Sequence, residues 1–259
     1  DFERRLTLAI LVGAWARSPV SAPLVVGGPA STLALAGDLA RLIDDMVTRG
    51  VDWNALDGLV PDQLDQYWQH SLDFLKIARQ GWPAHLAEIG KIEPAARRDL
   101  LIEAEAARLT AHHDGPVIAA GSTGSMPATA KFLHAIAALP QGAVVLPGLD
   151  TDLDDASWQS IGGSRDAQGK FTTPPASNHP QFAMHALLDQ FGIRRSDVKI
   201  LGRPAPQGRD LLVSEAMRPS NATAQWHQRL AEPAAAARIS GGMTDLAVLE
   251  AANPEMEAL

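Results

Sequence analysis

The residues best placed to do chemistry are Gly121-Ser122-Thr123-Gly124-Ser125, a glycine and hydroxyl loop between the apolar run Val117-Ile-Ala-Ala120 and a helix-forming stretch from Pro127. A loop of this kind between strand and helix can hold a phosphate, because exposed backbone N–H groups and the positive end of the helix dipole favour an anion. The pattern lacks the Lys-Ser/Thr that completes a P-loop and the spacing of a dinucleotide fingerprint. A tight structural turn is therefore the favoured reading, and contact with a phosphate or nucleic acid the other.

A second group, Asp150, Asp152, Asp154 and Asp155, follows the apolar run Ala143-Val-Val-Leu146. Carboxylates at the end of a strand can gather a divalent cation. The calcium-loop pattern fails here, since Asp155 stands where a glycine is needed and Ile161 where a bidentate Glu is needed. The favoured role for these acids is to cap a helix running through Trp158. His112-His113-Asp114 reads as a helix end rather than a metal cluster, because adjacent residues point in different directions and no third ligand is identifiable. Glu215 with Arg218 reads as a structural ion pair. No Gly-x-Ser-x-Gly elbow is present to make a serine nucleophilic. Trp53, Trp68, Trp82, Trp158 and Trp226 are base-stacking candidates, but at helical spacing such residues are more often core. No residue is assigned a catalytic or metal-binding role.

The elements that must position these groups follow from periodicity. Apolar residues at helical spacing predict helices over 3–17, 31–49 (with Gly50 as the stop), 61–77, 82–89 and 93–110, so that 30–113 is nearly all helix. After Pro116 the pattern becomes strand, loop, helix over 127–139 and strand, the length of a parallel β-α-β crossover, and predicts a helix-rich α/β fold with a parallel sheet. The segment 162–179 is rich in Gly, Ser, Thr, Pro and Asn and reads as a mobile loop. Helices are expected at 181–191 and 221–230, and short strands at 198–201 and 246–249. The last residues, Pro254 to Leu259, read as the start of a further helix, as expected of an internal segment of a longer protein.

Composition limits the function classes. With 259 residues and 46% hydrophobic content the chain can bury a sizeable core. A net charge of −8 argues against a surface that traps nucleic acid or anionic lipid everywhere, so any DNA contact is local. Arg194, Arg195, Arg203, Arg209 and Arg218 are candidates for it by charge alone, with surface solubility as the commoner explanation. The absence of cysteine removes disulfides, thiolate nucleophiles and Cys-ligated zinc or iron–sulfur centres. No stretch is long enough to span a membrane and no secretory signal is convincing, so a cytoplasmic location is expected.

Several segments also resemble one family. Gly115 to Ala130, Leu139-Pro-Gln-Gly-Ala-Val-Val-Leu-Pro-Gly-Leu-Asp150, Val51-Asp-Trp53, Trp68 to Lys76, His179-Pro-Gln-Phe182 and Ser214-Glu-Ala-Met-Arg-Pro219 are similar, in order, to the AddB family of alphaproteobacterial type. The resemblance implies an inactivated helicase-like region, with a P-loop NTPase-like parallel sheet and an all-helical insertion. It also implies an AddA-type helicase-nuclease partner, DNA as ligand, and resection of double-strand breaks for recombination. Residues 1–29 would lead into the sheet, 30–113 would be the insertion and 114–259 the core portion. Ala120, with Gly121 after it, would stand where an active helicase carries the acids that hold magnesium, and Asp150 at the next helicase motif. No cofactor is expected in this segment, and DNA contact would fall on Gly121 to Ser125 and Arg218. The competing reading is a stand-alone metal-dependent phosphate-ester enzyme built on the Gly121 loop and the Asp150 cluster.

Overall fold

The computed structural model describes residues 2–17, 28–56, 65–202, 206–248, 250–253 and 256. The chain divides into two compact units, residues 1–117 with 126–143 and residues 118–125 with 144–259. None of the described helices is long and apolar enough to cross a membrane.

The first unit is helical. It contains α1 (Phe2–Ala16), α2 (Pro29–Arg49), α3 (Asp65–Lys76), α4 (Trp82–Glu88), α5 (Pro94–Ala111) and α6 (Pro127–Ala137). Proline stands in the first turn of α2, α4, α5 and α6, where its missing N–H is not needed. Gly50 ends α2 in the left-handed region at φ 63°, and its side chain-free backbone lets the cap form. A π-helical turn, Ile77–Gly81, joins α3 to α4. On α2, Ala36, Leu39, Ala40, Ile43 and Met46 are buried, the stripe that helical spacing predicts. They share a core with Leu8 and Val12 of α1, both 0% exposed, and with Ile77, Ala78 and Trp82.

A buried charge cluster lies beside this core. Arg4 donates from Nη2 to the Ala40 carbonyl at 3.2 Å and from Nη1 to Asp44 at 3.0 Å, and it also pairs with Glu93, which accepts the Trp82 Nε1–H. One guanidinium thereby ties α1 to α2 and to the start of α5. α1 buries its apolar face against α2. α6 packs along α5, with Lys131 paired to Glu103 at 2.6 Å, so it joins the helical unit instead of the 114–259 portion.

The strands β1 (Val117–Ala120) and β2 (Gly142–Val145) form a two-stranded sheet. Val117 N–H donates to the Gln141 carbonyl and Gly121 N–H to Val145, so the pairing ascends along both strands and is parallel. The α/β expectation is met as a helix-rich fold with this small parallel sheet.

The second unit carries α7 (Asp155–Ile161), β3 (Ser164–Arg165), β4 (Phe171–Thr173), α8 (Phe182–Phe191), α9 (Arg209–Ala216), α10 (Trp226–Ala231) and α11 (Pro233–Gly242). Its core is Leu153, Trp158, Ile161 and Leu188, with Leu146, Leu149, Phe182 and Val198 against them. The segment read as a mobile loop holds an antiparallel hairpin instead, with Ser164 opposite Thr173 and Arg165 opposite Phe171. Its turn is closed by the Asp166 carboxylate, which accepts the N–H groups of Gln168 and Lys170, and by the Arg165 guanidinium 3.5 Å from the Phe171 ring centre. The strand expected at 198–201 is absent, since a 3-10 turn, Arg195–Asp197, leads directly into a bend there. Leu246 to Val248 form no strand either, and Leu249 lies outside the described residues. The helix expected over 221–230 is split, a 3-10 segment at Ser220–Gln225 preceding α10. α11 packs on α9 through glycine: a Cβ on Gly208 would sit 2.5 Å from the Arg238 carbonyl, and one on Gly242 2.9 Å from the Gly208 carbonyl.

Replacing Leu8 with Ala removes a fully buried side chain and is expected to lower the unfolding free energy by about 2–5 kcal/mol. Urea denaturation followed by tryptophan fluorescence measures this, and a loss below about 1 kcal/mol would show that α1 is not part of the core.

Candidate functional site

The segments that carry sequence distinctiveness in the second unit are far apart in the chain and meet in space. Asp154 caps α7, its Oδ1 accepting the Ser157 N–H at 2.9 Å and its Oδ2 the Ser157 hydroxyl at 3.0 Å. The same Oδ2 accepts from Arg218 Nη1 at 2.5 Å. Arg218 is 0% exposed; Nε and Nη2 lie on the two Glu215 oxygens at 3.0 and 2.9 Å, and Nη1 also reaches the Ser157 hydroxyl at 2.7 Å. Glu215 takes a further bond from Arg229 Nε at 2.7 Å, and its carbonyl accepts the Trp226 indole N–H at 3.0 Å. The planar five-donor fork of arginine suits this bidentate arrangement, which a lysine would not reproduce.

Next to this network lies His179-Pro-Gln-Phe182. His179 Nδ1 accepts the Gln181 N–H, so Nε2 carries the proton and donates to the Met217 carbonyl at 2.6 Å, at the end of α9. The Gln181 amide spans the other side, accepting the Asp150 N–H at 3.1 Å and donating to the Gly148 carbonyl at 3.0 Å. Asp150 Oδ1 in turn accepts the N–H groups of Asp152 and Leu153, both at 2.9 Å. The run 148–154, the 179–182 motif and the 214–219 motif are one hydrogen-bonded assembly. Periodicity does not reveal this; the only signal in the sequence is the concentration of Gln, His, Glu and Arg in short motifs lacking an apolar stripe.

Burial by itself would push the Asp154 carboxyl up, but the Arg218 guanidinium and the Ser157 N–H and hydroxyl reverse this and bring it down to about 2. Glu215 is held below its ordinary value for the same reason: burial opposes, and Arg218 and Arg229 outweigh it. Arg218 is correspondingly raised, burial acting against the charge and the two carboxylates for it.

Arg218 therefore cannot meet a DNA phosphate, a correction to its place among the contact candidates: its side chain is buried against the buried Glu215 and the half-buried Asp154, whose charges it neutralises. Arg194 pairs with Asp197. Arg195 pairs with Asp155, donates to the Asp150 carbonyl and lies 4.9 Å from the Trp158 ring centre. Arg209 donates to the Thr244 carbonyl, and Arg203 lies outside the described residues. Asp152 pairs with Arg238 at 3.1 Å. Among the described residues no group of His, Asp and Glu is placed to hold a metal ion. Trp82 and Trp158 are buried and Trp53 packs against the helical core, so these are not base-stacking platforms; Trp68 is half-buried and Trp226 is partly exposed.

Gly121 to Ser125 form a loop leaving β1, with Gly121 and Gly124 at φ 83° and 63° and the Ser122 hydroxyl accepting the Gly124 N–H at 3.3 Å. Gly121 and Ser125 are exposed, and the other loop residues half-buried. No hydrogen bond or ion pair among the described residues joins this loop to Asp150 or Arg218. Pro127 opens α6, so the first turn of that helix offers one N–H fewer than usual to an anion. His112 is the C-terminal cap of α5 and lies 3.0 Å from Asp114, as a helix end.

No protein-family model, no curated protein and no solved structure matches this chain.

Replacing Arg218 with Ala strands Asp154 and Glu215 and is expected to cost about 3–5 kcal/mol of stability, a loss read from urea denaturation. A loss under about 1 kcal/mol would mean that water replaces the guanidinium. The pH dependence has a definite sign. Since the folded-state value of Asp154 lies below its unfolded value, its contribution is present above about pH 4 and is lost as the pH falls towards 2. Denaturation midpoints are expected to fall across that window, and Asp154→Asn to flatten the decline; an unchanged slope in the variant would remove Asp154 from the account.

Proposed function

We propose that this chain is a non-catalytic, DNA-handling scaffold segment of an AddB-type helicase-nuclease subunit, acting with an AddA-type partner in the processing of double-strand breaks. One observation carries the reading. Three of the six motifs on which the resemblance rests, around Asp150, His179 to Phe182 and Ser214 to Pro219, fold against one another into one network in which Asp154, Glu215 and Arg218 neutralise each other. Residues that satisfy one another in this way hold architecture, and Asp154, Glu215 and Arg218 are committed to that role.

Residue chemistry supports the absence of turnover. The strand β1 ends in Ala120 followed by Gly121, which offer no carboxylate to a nucleotide-bound magnesium ion or to an attacking water. Asp150, at the later motif, uses one carboxylate oxygen to hold its own turn. In this reading β1 and β2 belong to a larger helicase-like sheet and the helices of the first unit to its insertion. The phosphate-ester reading needs Asp150 and Asp152 to be available together near the Gly121 loop, and Asp152 is paired with Arg238. DNA contact falls on the loop 121–125, whose backbone and hydroxyls are matched to phosphate oxygens.

The test is fluorescence anisotropy of the chain with a tailed DNA duplex over a salt series, with and without ATP and magnesium. Binding is expected to weaken with salt, to be indifferent to ATP, and to fall by about threefold to tenfold in Ser125→Glu, which sets a negative charge on the loop. Nucleotide hydrolysis, or metal-dependent phosphate-ester turnover lost in Asp152→Ala, would sink the scaffold reading. Binding unchanged in Ser125→Glu would move the DNA contact off the loop.

A further inference from the structure

Of the acids at 150, 152, 154 and 155, three are matched to arginines: Asp152 to Arg238, Asp154 to Arg218 and Asp155 to Arg195. Asp150 is not. Among the described residues its carboxylate has no ion pair; Oδ1 accepts two backbone N–H groups, Oδ2 makes no hydrogen bond, and Arg195 reaches only its main-chain carbonyl. Asp150 lines a groove of about 370 Å³ together with Leu149, Gln181, Val213, Ser214 and Met217. Val213 and Met217 of this wall are 57% and 51% exposed, a large apolar surface to leave to water on one helix. Ser214, in the same wall, is 4% exposed, and its hydroxyl has no hydrogen-bond partner among the described residues, which is costly for a buried polar group.

We propose that this groove is a docking site for a segment of a partner protein that inserts an arginine side chain next to an apolar residue, the guanidinium meeting Asp150 and the apolar surface covering Val213 and Met217. An uncompensated carboxylate beside apolar surface selects a cation on an aliphatic stem. Asp150, Asp152 and Asp210 line the groove together with one cation, Arg209, whose guanidinium donates to the Thr244 carbonyl, and Arg238 pairs with Asp152 and Asp210, so three carboxylates face two arginines and the local balance stays acidic. Nucleic acid, which brings anions, is repelled by such a rim, whereas an arginine-bearing peptide is attracted. The apolar wall extends along α9 from Val213 to Met217, which a lone small cation would leave uncovered, and this favours a peptide segment as the source. The unpartnered Ser214 hydroxyl offers a further hydrogen bond to the inserted segment. This site involves none of the residues assigned to DNA and does not depend on the double-strand-break reading.

The test uses the full chain labelled at its methionine methyl groups, with the Met217 signal assigned through Met217→Leu, and acetyl-leucyl-arginine amide as the probe. Titration is expected to shift the Met217 methyl signal and to saturate. Affinity should fall by about tenfold or more with the citrulline counterpart, which keeps the shape and removes the charge, and by a similar factor in Asp150→Asn. Asn retains the oxygen that accepts the Asp152 and Leu153 N–H groups, so the turn is kept. If that variant fails to fold, the citrulline arm on the unaltered chain still decides. No saturable shift, or equal binding of the citrulline peptide, would overturn the proposal; so would equal binding of agmatine, which carries the guanidinium without a peptide.

Discussion

The second unit depends on a single charge held out of water. The Arg218 side chain has no exposed surface, and a guanidinium in that position is tolerated only when its donors are met by acceptors of opposite charge. Asp154, Glu215 and the Ser157 hydroxyl meet them, and each is fixed in turn by something else: Asp154 by the cap of α7, Glu215 by Arg229 and by its place on α9. The requirement to satisfy one arginine therefore fixes where the start of α7 lies against the end of α9. A buried network of this kind contributes little net stability compared with an apolar core of the same volume. It does exclude alternative packings, since any shift leaves a charge unpaired.

The same constraint explains the chemistry the site does not offer. Carboxylates active in acid-base or metal chemistry need an environment that leaves them poised, through a displaced pKa near neutrality or an open coordination position. Here the displacement runs the other way: Asp154 is brought down to about 2 and Glu215 below its ordinary value, so both are committed anions throughout the physiological range. His185, half-buried in the same unit, is also removed from such chemistry. Burial lowers its pKa against the opposing pull of Asp189, and its ring packs 5.2 Å from that of Trp158.

The first unit obeys a different logic with one point in common. Its helices are organised by apolar stripes, and Leu8, Val12, Leu39 and Ile43 would bring α1 and α2 together on their own. Arg4 adds orientation, because its bonds to the Ala40 carbonyl, Asp44 and Glu93 are satisfied in only one register of α1 on α2. In both units an arginine sets the geometry that hydrophobic contact leaves loose.

What the sequence determined by itself is what short-range rules govern. The helices from Phe2 to Ala111, the proline at their starts, the stop at Gly50, the strand-loop-helix-strand order around Gly121 and the capping role of Asp154 all follow from spacing within a few residues of the chain. The helical character of 93–110 was legible because period and composition agree over a long window, whereas the strands proposed at 198–201 and 246–249 were not realised, since short apolar runs carry no period of their own. Only the tertiary structure decided that Arg218 faces inward, that the acids from 152 to 155 each find an arginine while Asp150 finds none among the described residues, and that 162–179 closes on itself as a hairpin. The physical reason is range. Arg218 and Asp154 are separated by 64 residues, Arg238 and Asp152 by 86, and no local periodicity encodes which cation will neutralise which anion once water is excluded.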